Sequence, residues 1–559
     1  MKNPQLHTFH IPVMGLGYTI DTPVKVARFG ISSVISIIED ELIEQVREFH
    51  CRSSNKEYSP ISNDHPDHRA QRVTAYLNLV NIIVNEQIKE IQNLPFTEGN
   101  DLCNYFELLP ETSSVKYLYK EMLQQHDLIA KGSIQKQLRN FVTAGSIDVN
   151  IMSKLDKQNY SKTGEPLPVE FCDAMSALRG YAKSDLVSSI VFSAGYNPRL
   201  YAYVEKFNDF FPDHNGSIRK KIILKVSDFR SAMIQGKYFA KKGLFVSEFR
   251  IESGLNCGGH AFPTEGFLLG PILEEFKENR TLLNEELLNS CNQVWKEKGI
   301  TTSSIDIRFL VSAQGGIGTA GENELLLNYY KIDRTGWGSP FLLVPEATNV
   351  DEETLSQLSN ATKSDYYLSD ASPLGVPFNN FKPSTSESQR QMRIKKGRPG
   401  SPCYKKFLSS NTEFTEKPIC VASREYQHLK IKQLNDQKLD STIYKTEVDK
   451  ITEKDCLCEG LGATVLLKNK IDGMHKLKAV TICPGPNLAY FSKISTLREM
   501  VSHIYGRINL LNSLKRPHIF INELILYLDY LKKEVSTCKD MSGNRRRLEP
   551  AAAISDGRP

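Results

Sequence analysis

The 559-residue sequence has no apolar run near the roughly 20 residues a membrane-spanning helix needs, which argues against a helical membrane protein. Its opening stretch, MKNPQLHTFH, lacks the apolar core of a secretory signal, so no export is expected. Excess charge of one sign is also scarce. The 70 Lys and Arg against 65 Asp and Glu leave a net +5, too little over this length to call for nucleic acid or an anionic membrane surface. The 11 cysteines are scattered and odd in number, which argues against a disulfide scaffold and predicts reduced thiols in a cytoplasm. The 34 glycines show no period, which excludes a collagen-like chain. What is present, 40% hydrophobic and 24% charged residues, is the composition of a folded globular chain. At roughly 100–200 residues per domain, the length allows three or four domains, or one barrel with additions.

Between residues 10 and 350 a short apolar segment, a turn and a helical pattern recur. Strands are expected at Ile11–Gly15, Ile31–Ile38, Ile147–Met152, Val187–Gly195, Lys221–Ser227, Leu244–Gly254, Ile305–Gly316 and Gly336–Leu343. Runs such as KIILKVS and IDIRFLVSA are apolar nearly throughout, as parallel strands covered on both faces must be. Helical patterns at Pro23–Phe29, Glu39–His50, Asp228–Ala240 and Glu322–Tyr330 lie between them. Eight such cycles predict an α/β fold, a (β/α)8 TIM barrel, with an open doubly wound sheet as the competing arrangement. The barrel is expected over residues 1–51 and 146–350. Residues 52–145 read as a helical insertion, 351–536 as a mostly helical C-terminal substrate or lid region, and 537–559 as a disordered tail.

In such a barrel, ligands meet the loops that follow the strands. Two of those loops stand out. In SAQGGIGTAGENELLL an apolar strand runs into Gly315, Gly316 and Gly318 before a helix begins, and glycine lets backbone amides approach a phosphate. The next strand end, GWGSPFLL, brings Gly338 and Ser339 beside that turn once the barrel closes, which makes the pair the expected phosphate site. The second loop, IESGLNCGGHAF, sets His260 behind two glycines, where an imidazole of ordinary pKa near 6.5 suits proton transfer.

The order of these motifs resembles the 2-nitropropane dioxygenase, or nitronate monooxygenase-like, family of FMN-dependent barrels. That family includes the enoyl reductases of fatty-acid and polyketide synthesis. IPVMGLGYTIDTPVKVARFG is similar to the family's opening strand and helix, IDVNIM to a flavin-contacting strand, and FSAGYNP to a Ser-x-x-x-Gly-x-Pro loop. ILKVSDFRSAMIQGKYFAKKG resembles the unit before the histidine motif. SGLNCGGH stands at Gly-x-Glu-Ala-Gly-Gly-His, SAQGGIGTAGE at the phosphate turn, and GSPFLLVPEAT at the segment after it. The resemblance spans about residues 8–350 outside the insertion. Asn256-Cys257 departs from Glu-Ala, and Ser339-Pro340 departs from Thr-Arg.

The resemblance implies bound FMN, with His260 as the catalytic residue. Met14, Gly15, Asn150, Lys225, Gly259, Ala313, Gly315, Gly316, Gly338 and Ser339 would contact the cofactor. It implies oxidation of a nitronate or similar small carbon acid with O2 as acceptor. The alternative is reduction of an enoyl thioester, with an acyl carrier protein as partner. No nucleic acid or membrane partner is expected. In the C-terminal region, Cys403, Cys420, Cys456, Cys458 and Cys483 are soft potential ligands for zinc or an iron–sulfur cluster. Cys-x-Cys is tighter than the usual Cys-x2-Cys spacing, so packed, reduced thiols are expected and no metal.

Overall fold

In the computed structural model of the chain, eight short strands lie parallel and the last pairs with the first. They are β1 (Phe9–Ile11), β2 (Ser32–Ser36), β3 (Ile147–Ile151), β4 (Ser188–Phe192), β5 (Lys220–Val226), β6 (Val246–Glu252), β7 (Leu310–Gln314) and β8 (Arg334–Gly336). Each pairs with its successor, and Phe9 of β1 sits opposite Thr335 of β8, which closes the barrel. The fold is therefore the expected (β/α)8 barrel rather than an open sheet. The structure describes residues 6–152, 156–161, 163–193, 196–256, 268–300, 307–472 and 479–540. No helix among them is long and apolar enough to cross a membrane.

Strands two to seven fall where the apolar runs put them, but the first and last require correction. β1 ends at Ile11, so Met14 and Gly15 lie in the loop after it and not in the strand. Pro12 follows directly and has no N–H to continue a ladder. β8 covers only Arg334–Gly336, and the expected strand residues Ser339–Leu343 form a 3-10 helix with Pro340 in its first turn.

Outward-facing strand residues such as Ile190, Phe192, Phe249, Ile251 and Val311 bury themselves under the helices in the main core. Helix His68–Asn93 belongs to that core through Val73, Tyr76, Leu77 and Val80, although the sequence placed it in the insertion. It crosses helix Asp173–Lys183 closely at Gly180, where a Cβ would lie 2.6 Å from the Ala70 carbonyl oxygen. Residues Leu102–Val142 gather a second core of their own around Tyr105, Phe106 and Tyr119.

The C-terminal region is built onto the carboxyl ends of the strands. Helix Leu457–Lys468 meets the loop after β1, and the Gly17 amide donates to the Leu461 carbonyl at 2.9 Å. A hairpin of β9 (Tyr366–Ser369) and β10 (Phe378–Phe381) reaches the loop after β6, where the Asn379 amide contacts the Asn256 carbonyl at 3.4 Å. Within the region expected to be mostly helical, helix Leu497–Ile504 packs near the barrel. A longer helix, Ile519–Asp540, runs past residue 536 into the stretch assigned to the tail.

The barrel interior is more polar than branched aliphatic residues would make it. Val13, Val34, Val191 and Ile223 form one apolar patch. Elsewhere Arg250, 1% exposed, donates to Asp148 at 3.0 Å and to Glu248 at 2.9 Å, while Ser312 donates to Glu248 at 2.5 Å. Burial alone would raise Glu248, but the Arg250 and Arg334 guanidinium groups bring it down to about 2. Burial wins at Asp148 and pushes it up. His10, inside the same barrel, is driven well below its usual value by burial and Arg250, and so is neutral. Removing one partner of such a set costs about 3–5 kcal/mol because the other charge is left buried. Arg250→Met is therefore expected to lower stability in urea by about that amount at pH 8. The stranded carboxylates then take up protons in the folded state, so the deficit should shrink towards pH 5. A deficit independent of pH would refute this account of the barrel interior.

Candidate active site at the carboxyl ends of the strands

Alternation along a strand sends every second side chain inward, and the last inward residue of each strand faces the mouth. On β3, β5, β6 and β7 these are Asn150, Lys225, Glu252 and Gln314. Lys225 and Gln314 converge on Glu252, whose Oε1 accepts from Lys225 Nζ at 2.9 Å, Gln314 Nε2 at 2.8 Å and, from the loop beyond, Asn256 Nδ2 at 2.6 Å. Gln314 Oε1 in turn lies 3.3 Å from His10 Nε2. Asn150 is 3% exposed, and among the described residues its buried Oδ1 has no hydrogen-bond partner. A buried oxygen left in that state costs about 1–3 kcal/mol, which marks it as an acceptor waiting for a donor.

The glycine turn after β7 has left-handed backbone at Gly315 (φ 105°) and Gly316 (φ 81°). Neither position has room for a side chain. A Cβ on Gly316 would lie 2.6 Å from Leu255 Cδ1, and one on Gly315 would lie 2.9 Å from the Asn256 backbone. The glycines thus let the turns after β6 and β7 pack against each other, a reason independent of any ligand. Among the described residues nothing takes the amides of Gly315, Gly316, Gly338 or Ser339. Ser339 itself is buried at the first turn of its 3-10 helix, beside the β7 turn, because β7 and β8 are neighbours.

Further along the turn, the protein satisfies its own donors. The Gly318 amide donates to Glu322 at 2.9 Å, and the Thr319 hydroxyl caps helix Ala320–Asn328. Arg516 lies against Gly318, bonds Glu322 at 2.6 Å and Asn487 at 2.8 Å, and also reaches the Gly316 carbonyl. The T-x-x-E spacing of Thr319 and Glu322 was visible in the sequence as a cap signal. Arg516, almost 200 residues away, carried no such signal.

The expected site residues divide accordingly. Met14 (buried) and Gly15 (φ 86°) lie in the loop after β1, with Leu461 Cδ2 3.4 Å from where a Gly15 Cβ would be. Asn150 and Lys225 line the mouth. Ala313 is buried in the main core on the face opposite Ser312 and Gln314, so only its backbone borders the mouth. His260 and Gly259 lie outside the described residues. The stems of their segment are described, however, and one carboxylate holds both. Glu523, from helix Ile519–Asp540, accepts from Ser253 Oγ at 2.7 Å and the Gly254 amide at 3.2 Å on one side. It accepts from the Leu269 amide at 2.7 Å on the other. Burial pushes Glu523 up, and these three donors oppose that.

No protein-family model matches the chain, and no curated protein matches it. Among solved structures it is similar to FabK from Thermotoga maritima, at 12% identity and a TM-score of 0.31, covering 72% of this chain and 83% of that one. It is similar to the enoyl reductase domain of MlnA from the macrolactin biosynthesis cluster of Bacillus amyloliquefaciens, at 14% identity and a TM-score of 0.34, covering 76% and 88%. It is also similar to nitroalkane oxidase from Streptomyces ansochromogenes, at 12% identity and a TM-score of 0.24, covering 61% and 86%.

Glu523→Ala would leave three donors unpaired and is expected to lower stability by about 1–3 kcal/mol in urea denaturation. Glu523→Gln keeps one acceptor oxygen and should recover part of that loss. Equal losses in the two variants would show that Glu523 does not hold the stems.

Proposed function

We propose that the chain is an FMN-dependent oxidoreductase of the nitronate monooxygenase-like type. The observation that carries this reading is a coincidence of motif order and position. The segments that resemble flavin-contacting and phosphate-turn motifs fall at the carboxyl ends of β1, β3, β7 and β8, around one mouth. The residues there suit the cofactor. The uncommitted amides of Gly315, Gly316, Gly338 and Ser339 would hold its terminal phosphate, and amide bonds to a charged group are roughly twice as strong as neutral ones. Met14, Gly15 and Asn150 would border its ring, and the unpartnered Asn150 Oδ1 offers an acceptor to a ring N–H. Bound FMN supplies reversible two-electron acceptance at that ring.

The chain's own part is placement and proton handling. Glu252 fixes Lys225, Gln314 and Asn256 at the mouth, and the C-terminal elements cover it against water. His260, by resemblance, removes or accommodates the proton on the carbon α to a nitro group. The substrate is then a nitronate or similar small carbon acid, with O2 as final acceptor. A second reading, an enoyl-thioester reductase fed by a nicotinamide and served by an acyl carrier protein, is favoured by one observation. Elements from 366 to 540 are built directly onto the loops after β1, β6 and β7, more chain than a small carbon acid calls for.

Visible spectra of the flavin-loaded protein under anaerobic conditions separate the two. Bleaching by a nitronate without NAD(P)H supports the first. Bleaching by NAD(P)H and recovery with an enoyl thioester supports the second. Protein that takes up no FMN defeats both. His260→Asn is expected to cut turnover about 10²–10⁴-fold while FMN stays bound, and loss of FMN would contradict its role. Asn150→Leu should weaken FMN binding, yet leave the flavin-free protein at least as stable, because it removes an unpaired buried oxygen. Fluorescence titration and a thermal melt read the two effects.

A further inference from the structure

Four of the described free cysteines meet in one place. Cys403, Cys420, Cys456 and Cys458 share an apolar cluster with Ile38, Leu408 and Ala422. They come from three segments. Residues around Ser401 and Ser423 run side by side. The Ser401 amide donates to the Ala422 carbonyl at 2.9 Å, and the Arg424 amide returns to the Ser401 carbonyl at 2.8 Å. Cys456 and Cys458 open helix Leu457–Lys468. The thiols influence one another most strongly in two pairs, Cys403 with Cys420 and Cys456 with Cys458. Among the described residues no three or more Cys, His, Asp or Glu side chains are gathered as a metal ion requires.

Cys403 and Cys420 line a cleft of about 730 Å³ with Lys406, Ser409, Arg424 and His428, whereas Cys456 and Cys458 do not. The backbone is curled to serve the first sulfur. Cys403 and Lys406 both adopt φ 55°, in the left-handed region. The neighbouring Cys420 thiol, followed by the Ser409 hydroxyl and the Lys406 backbone, brings Cys403 down to about 7 against the opposing effect of burial. The same neighbour, with burial, pushes Cys420 up. One sulfur is thus ready as a nucleophile beside a protonated partner.

We propose that Cys403 and Cys420 are a peroxide-reactive pair that closes reversibly to a disulfide. The Cys403 sulfur attacks hydrogen peroxide; an S–O bond forms, the O–O bond breaks, and hydroxide leaves. The Cys420 sulfur then displaces the hydroxyl of that sulfenic acid, forming the S–S bond, and its thiol proton leaves with the hydroxyl as water. The two sulfurs together give up two electrons, both oxygens of the peroxide end as water or hydroxide, and a thiol reductant reverses the change. The pair lies beside the mouth. Lys405 pairs with Glu39 just after β2, and Leu408 packs on Ile38. Closure would therefore be felt at the strand ends.

The test uses the full-length, reduced protein treated with an equivalent of hydrogen peroxide, then alkylated, digested and mapped by mass spectrometry. The expected result is the loss of two free thiols and two hydrogens, one Cys403–Cys420 cross-link, and full reversal by dithiothreitol. Cys420→Ser should stop at a sulfenic acid on Cys403 that dimedone traps, and Cys456→Ser should leave the cross-link unchanged. The oxidation rate should rise through about pH 7 as the Cys403 thiol ionises. The wild-type map alone decides if a variant fails to fold. Intact thiols at Cys403 and Cys420 while other cysteines oxidise would overturn the proposal. So would release of a stoichiometric zinc or iron ion on thiol modification.

Discussion

A closed barrel of eight short strands has an interior too narrow for solvent, so whatever points inward must be satisfied by its neighbours. This chain points charge inward. Arg250 stands between Glu248 and Asp148, and one inward position nearer the strand ends Glu252 gathers Lys225, Gln314 and Asn256. Both sets hang on β6, which contributes Glu248, Arg250 and Glu252 in strict alternation. The mouth is therefore rigid, and its polarity is set from below. Asn150 is the exception that this satisfied surround makes conspicuous.

The C-terminal region acts on that mouth through a few long-range contacts. Glu523 ties the two stems of the segment carrying His260, and Arg516 with Glu322 locks the turn after β7. The Gly462 backbone lies so close to Gly17 that a Cβ there would be 3.0 Å from its carbonyl oxygen. The residues beyond 350 are thus tied to the loops at the barrel mouth.

Much of the fold was legible in the sequence because strands two to seven keep an apolar outward face at every turn of the cycle, and some, such as SSIVF and KKIILKV, are nearly apolar on both. The first and last were not legible in that way, because Pro12 ends the first ladder inside an apolar run and the apolar run after β8 turns into the 3-10 helix begun by Ser339 and Pro340. The glycine turn after β7 was legible, but its full reason was not. Leu255 and Asn256 crowd it from a neighbouring loop, and adjacency of loops is a property of the closed sheet. Glu252, Arg516 and Glu523 escaped because a lone charged residue shows its value only beside partners distant in sequence. Helix His68–Asn93 was read as inserted because its apolar stripe does not reveal which core it joins.

The pairing of Phe9 with Thr335 also governs how the chain folds. The ring closes only when its last strand meets its first, a contact of very high sequence separation, and loop-closure entropy makes such contacts slow to form. Until then β1 and β8 each keep an unpaired edge that can template another chain. The small cluster around Phe106 is local and can assemble early. Refolding should therefore pass through a stage with that cluster formed and the ring still open, when aggregation competes most strongly with success.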